Sequence, residues 1–205
     1  MKNLICSLCF VMIYVVQTTG QSISQNSSTA GIIAGLEIGS FSWKSDDLDF
    51  IDYLNGLGLR AQLRYGINES FSVGLNYLQS FKLEDYSGGK DFSVNAFQFE
   101  ARLNLLGTQS KWRPTLAASL NYSTANPELV ILETGQLGLS TIKGLGLGVE
   151  GGINYYVNPK TALNFSANLI TGNYTNVVVA GVELSEDLNY TILYFALGVR
   201  YQLVP

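Results

Sequence analysis

Residues able to do chemistry are few in this chain, and the missing types matter as much as those present. Its 205 residues include no histidine, so no imidazole is available as a base. The serines have no Gly-x-Ser-x-Gly turn and no partner to activate a hydroxyl at neutral pH. The two cysteines, Cys6 and Cys9, both fall in an apolar leader, so no structural disulfide is expected. Histidine and thiolate ligation of a metal are excluded downstream of that leader. No catalytic residue, cofactor site or metal site is therefore assigned, and the chain is read as a non-enzyme. What remains is a set of seven ionisable side chains, Glu37, Glu100 and Glu150 against Arg60, Arg64, Arg102 and Arg200, each flanked by alternating apolar residues. Arginine and glutamate in this mixture can form bidentate, charge-assisted bonds.

The elements that must carry these groups alternate strictly. From residue 31 onward, segments of about ten to fifteen residues show period-two patterning, the mark of strands with one apolar and one polar face. In residues 55–67, Leu57, Leu59, Ala61, Leu63, Tyr65 and Ile67 share one face, and Gly56, Gly58, Arg60, Gln62, Arg64 and Gly66 share the other. A one-residue slip would invert every position. The split recurs in segments carrying Leu36 and Ile38 opposite Glu37, Leu75 and Tyr77 opposite Gly74 and Asn76, and Phe97 and Phe99 opposite Glu100. Further segments set Leu116 and Leu120 opposite Thr115 and Asn121, Leu147 and Val149 opposite Glu150, Leu163 and Phe165 opposite Asn164, and Leu197 and Val199 opposite Arg200. That makes eight strands and no long helical pattern.

Connections alternate in length. Long ones fall near residues 45–54, 124–142 and 172–189, with a middling one at 85–90. Short ones fall at 68–70, 107–111 and 158–160. With an even strand count, both ends of the strand region share the short-turn end. Ahead of the strands, Lys2 starts a basic tip, residues 4–16 form an apolar run of thirteen, and Gln17-Thr18-Thr19-Gly20 ends in small residues. This is the layout of a signal peptide cleaved after Gly20, and the run is shorter than the roughly 20 residues a transmembrane helix needs. The expected organisation is residues 1–20 as signal peptide, 21–30 as an N-terminal periplasmic segment and 31–205 as the strand domain.

Alternation alone does not say whether the apolar face meets lipid or lines a soluble, lipocalin-like barrel. Lipid is favoured by a charged fraction of only 14%, by the export signal and by the segregated loop lengths. Aromatic residues at strand ends agree: Tyr65, Phe71, Tyr155 and Tyr201 toward the short turns, and Tyr77, Phe97 and Tyr122 toward the long loops, form two girdles. An arginine facing lipid at mid-depth would cost about 2–4 kcal/mol, so the seven charges must face the lumen. There they are read as a packed ion-pair plug or, alternatively, as a gated conduction path.

On this strand count, loop asymmetry and pair of girdles, residues 31–204 resemble the small eight-stranded outer-membrane barrels of the OmpA, OmpX and OmpW type. The resemblance implies an all-β fold, an eight-stranded antiparallel up-and-down transmembrane β-barrel in the outer membrane of a Gram-negative bacterium. Members commonly end in an aromatic residue; this chain ends Leu203-Val204-Pro205, and Tyr201 at an alternate position is the available substitute.

Function then rests on the long loops. They hold twelve of the sixteen acids, among them Asp46, Asp47, Asp49, Asp52, Glu128 and Glu183. These read as a solvated repulsive surface, or as a weak divalent-cation site bridging lipopolysaccharide. Two apolar β-prone stretches, Leu129-Val130-Ile131-Leu132 and Val177-Val178-Val179-Ala180, either raise the barrel wall and offer an edge to a partner or pack on each other. Twelve Lys and Arg without a basic stripe exclude nucleic acid. The expected function is an outer-membrane barrel, surrounded by lipid and monomeric, that serves envelope structure or binds a protein partner through its loops. The alternatives are a narrow porin-like channel for small apolar molecules or ions, and a subunit of a secretion or assembly machine.

Overall fold

The computed structural model describes residues 29–45, 53–81, 83, 92–131, 136–179, 182–184 and 187–204. The expected signal peptide, most of the segment 21–30 and the acids at 46, 47, 49, 52, 84, 85, 91, 133 and 186 lie outside these residues. The strands are β1 (Gly31–Ser45), β2 (Leu54–Gly66), β3 (Phe71–Phe81), β4 (Val94–Asn104), β5 (Trp112–Ala125), the short β6 (Glu128–Ile131), β7 (Gln136–Asn158), β8 (Thr161–Val179), the short β9 (Val182–Leu184) and β10 (Leu188–Val204). Eight of them pair antiparallel around a ring in which β1 closes on β10, with Glu37 opposite Gly198 and Ile38 opposite Leu197. β7 pairs with both β5 and β8. The result is a closed all-β barrel with next-neighbour connections throughout.

Two of the short turns are fixed by the same chemistry. Asn68 Oδ1 accepts from the backbone N–H of Ser70 (2.9 Å) and Phe71 (2.8 Å). Asn158 Oδ1 does the same for Lys160 (2.9 Å) and Thr161 (2.8 Å). An asparagine that mimics a backbone turn in this way favours a tight reversal, which is why both connections are short and lie at one end.

Through most of the barrel the apolar face points out. Leu36, Leu63, Leu75, Phe97, Leu120 and Leu197 are exposed, and Leu145 reaches 70%, while Glu37, Arg60, Gln98, Glu100 and Glu150 are buried inside. A soluble barrel with an apolar interior would show the reverse, so the lipocalin-like arrangement is excluded.

Toward the long-loop end the rule inverts. Phe41, Trp43, Leu54, Leu78, Ile142, Ile170 and Ile192 are buried inside. At the same height the outward positions turn polar, through Ser42 opposite Asn55, Gln79 opposite Asn95, Asn95 opposite Thr124, and Thr124 opposite Lys143. Along β1 and β10 the inward parity is kept while the polarity of the two faces changes; in β8 a bulge opposite Lys143 and Gly144 moves the inward positions from Tyr174 to Val177.

The segments 124–142 and 172–189, expected to be loops, are strand over much of their length. Ser140, Thr141 and Ile142 pair with Val179, Val178 and Val177, Glu128–Ile131 pairs with residues 136–139 of β7, and Val182–Leu184 pairs with residues 177–179 of β8. The β-branched run at 177–179 has the local preference to continue a strand wherever a neighbour offers hydrogen bonds, and that preference decides the matter here. One side of the barrel therefore rises as a four-stranded wall above the rest.

Candidate functional site

All seven charges singled out in the sequence meet inside the barrel. Arg60 stands at the centre: its Nε donates to Glu37 Oε2 at 2.8 Å, its Nη2 donates to the same oxygen and to Ser166 Oγ at 3.0 Å, and its Nη1 donates to Glu150. Arg102 grips Glu100 with two parallel bonds, Nε to Oε1 at 2.8 Å and Nη2 to Oε2 at 3.1 Å, and reaches Glu150 Oε1 as well. Glu150 thus bridges the two arginines. Arg64 and Arg200 hold less carboxylate. Arg64 lies 3.0 Å from Glu100 and donates to Gln62 Oε1; Arg200 donates to Glu37 Oε1 at 3.1 Å and to Asn154 Oδ1 at 2.7 Å. Each of the seven residues is at most 5% exposed. Charges this dry persist only when paired and hydrogen-bonded.

Above this layer sits an aromatic and aliphatic plug that the sequence reading missed. Trp43 Nε1 donates to Tyr174 Oη at 3.0 Å, Tyr174 stacks on Tyr190 with centroids 4.3 Å apart, and Phe92 meets Trp43 edge-on at 5.5 Å. Tyr194 forms the boundary. Its ring lies 5.3 Å from the Arg60 guanidinium and 6.5 Å from Phe41, and its hydroxyl is 3.2 Å from the Glu37 carbonyl oxygen. Gly58 makes this possible, since a Cβ there would come within 2.7 Å of the Tyr194 ring. The signal was available in β1: Phe41 and Trp43 share the parity of Glu37, with Ser40 and Ser42 opposite.

At the short-turn end the chain entering β1 is tied across the mouth. Thr29 N–H donates to Glu69 Oε2 at 2.9 Å and the Thr29 hydroxyl to the Glu69 carbonyl at 2.6 Å. Arg113, fully buried, lies 3.7 Å from Glu69 and 5.0 Å above the Tyr156 ring. Sequence reasoning passed over Arg113 because it borders a turn, although it shares the inward parity of Thr115.

The seven aromatic residues assigned to girdles all project outward or lie half-exposed on the outer surface. Tyr77 and Phe97 contact each other at 4.8 Å, and the Tyr77 hydroxyl donates to Asn95 Oδ1 at 3.1 Å, at the edge of the polar ring. Tyr155 packs on Trp112 at 4.6 Å beside a short turn. Of the two apolar stretches, Leu129, Val130 and Ile131 are backbone members of β6, Val177 and Val178 belong to β8 with Val177 buried, and Val179 ends that strand. Leu132 and Ala180 lie outside the described residues.

Comparison with known proteins agrees with this geometry. The solved structure of Neisserial surface protein A, NspA, has 21% sequence identity and a TM-score of 0.65, covering 85% of this chain and 98% of its own. The outer membrane protein OprG from Pseudomonas aeruginosa has 15% identity and a TM-score of 0.51 over 87% of this chain and 98% of its own. The outer membrane protease OmpT of Escherichia coli is more distant, at 11% identity and a TM-score of 0.48 over 90% of this chain and 100% of its own. At these identities the likeness to NspA and OprG is one of fold. No curated protein sequence matches the chain. Residues 9–202 match the outer membrane protein beta-barrel domain family, and the chain belongs to that family, as an integral β-barrel of the Gram-negative outer membrane.

Proposed function

We propose that this protein is a non-enzymatic, non-conducting barrel that presents its raised wall to a protein partner outside the cell. The observation that carries the reading is the wall itself. Among the described residues, β6 pairs only with β7 and β9 only with β8, so two strand edges with unpaired backbone groups flank the wall. An open edge is a template for strand addition. The filled lumen supports the same reading, because a barrel of eight strands is just wide enough for side chains to occupy it and here two successive levels do so.

The test is a photo-crosslinker placed at position 130 or 183 in intact cells, with position 195 on the lipid-facing surface as the control. A protein adduct from both wall positions is expected, and the adduct at position 183 should be lost when residues 128–139 are replaced by a two-residue turn. Pro127 and Ser140 already touch through a backbone bond of 3.1 Å, so the pruned barrel retains its closure. No adduct, or adducts indifferent to pruning, would overturn the proposal.

A further inference from the structure

The ion-pair layer does not balance. Four guanidiniums, Arg60, Arg64, Arg102 and Arg200, face three carboxylates, Glu37, Glu100 and Glu150. Arg113 beneath them is set against Glu69, so that pair leaves the balance unchanged. One positive charge is in excess in a place where an uncompensated charge is costly.

The excess falls on a defined side. Arg60 and Arg102 take most of the carboxylate oxygens. Arg64 and Arg200 instead turn part of their guanidinium to amides, Gln62 and Asn154, and Nε of Arg200 has no hydrogen-bond partner. Both border a cavity of about 20 Å³ on the short-turn side, shared with Arg102, Lys160, Asn154 and Gln202. No aspartate or glutamate is among its lining residues. A water-sized occupant needs about 10–15 Å³, so the space holds one small sphere.

We propose that this periplasm-facing cavity binds a single monatomic anion, chloride by size and charge, which neutralises the layer. The anion receives donors from Arg64, Arg200 and Arg102, with Lys160 in the turn at the solvent side drawing it in. Chloride then acts as a structural ligand of the barrel, binding the folded state and not the unfolded chain.

Two measurements test this on the protein folded in detergent micelles. Bromide soaked into crystals should give an anomalous peak among Arg64, Arg102 and Arg200. Replacing gluconate by chloride at constant ionic strength should raise the unfolding midpoint saturably, by about 3 °C at tenfold excess over the dissociation constant. Gln62→Glu puts a carboxylate beside Arg64 and should abolish that rise. If it does not fold, Lys160→Gln, at an exposed turn, should shift the chloride titration to about threefold higher concentration. A bromide-free cavity, equal midpoints in chloride and gluconate, or a Gln62→Glu protein as chloride-dependent as the parent would overturn the proposal.

Discussion

The two levels of the lumen solve the same problem with opposite chemistry. Around Arg60 the interior is ionic and the exterior apolar; around Trp43 the interior is apolar and the exterior carries Ser42, Asn55, Asn95 and Lys143. The lower level is built for lipid outside, where no water solvates the outer face and polar groups can satisfy one another only within the barrel. The upper level follows the rule of a soluble protein, apolar inside and polar outside. The change occurs between Glu37 and Phe41 in β1 and between Arg200 and Tyr194 in β10. The outer limit of the hydrocarbon can therefore be placed there, just above the ring of Tyr77, Phe97 and Tyr122.

Different ways of failing would separate the levels. The largest effect is expected from Arg60→Ala, which takes from Glu37 and Glu150 one of the two arginines that hold each of them, leaves a hole at the centre of the buried network and should lower stability by about 3–5 kcal/mol in urea unfolding of the barrel in micelles. Leu78→Ala in the plug leaves a cavity with no stranded charge and should cost about 2–4 kcal/mol in the same assay. A double-mutant cycle of Glu37→Gln and Arg60→Gln sharpens the contrast: a coupling of about 1–3 kcal/mol is expected, whereas Ile142→Ala, a plug residue paired with Ala125 and Val177, combined with Glu37→Gln should be additive within about 0.5 kcal/mol. The smallest effect is that of salt. Pairs this deeply buried are poorly screened, so raising ionic strength with gluconate salts at a fixed chloride concentration should move neither level appreciably, and a large salt-induced destabilisation would mean that water reaches Arg60.

Legibility in the sequence follows the same division. The ion layer could be read because charged residues on a polar face between exposed leucines have nowhere else to go; Glu100, between Phe99 and Ala101, is the clearest case. The plug could not be read from composition alone, since Phe41, Trp43 and Ile192 look like lipid-facing residues until their parity with Glu37 and Arg200 is followed along the strand. The wall was half visible. The β-prone run Val177-Val178-Val179 pointed to extension, but a strand needs a partner, and which neighbour rises with it is a property of register, not of local preference. Arg113 and Glu69 were hidden for a related reason, being joined only when the barrel brings a short turn beneath β5. The unequal count of arginine and glutamate was present in the sequence from the start; its consequence needed the cavity beside Arg64 and Arg200.

The central claim is that two levels in series close the lumen, leaving the outer wall as the working surface. Single-channel recording in planar bilayers tests it most directly. The wild-type barrel is predicted to be silent, and so is the triple variant Phe41→Ala, Trp43→Ala, Tyr194→Ala, because the ion layer still fills the section beneath. Discrete conductance steps in the wild type, altered by Arg60→Ala or Glu150→Ala, would contradict the account and make the ion layer a gate.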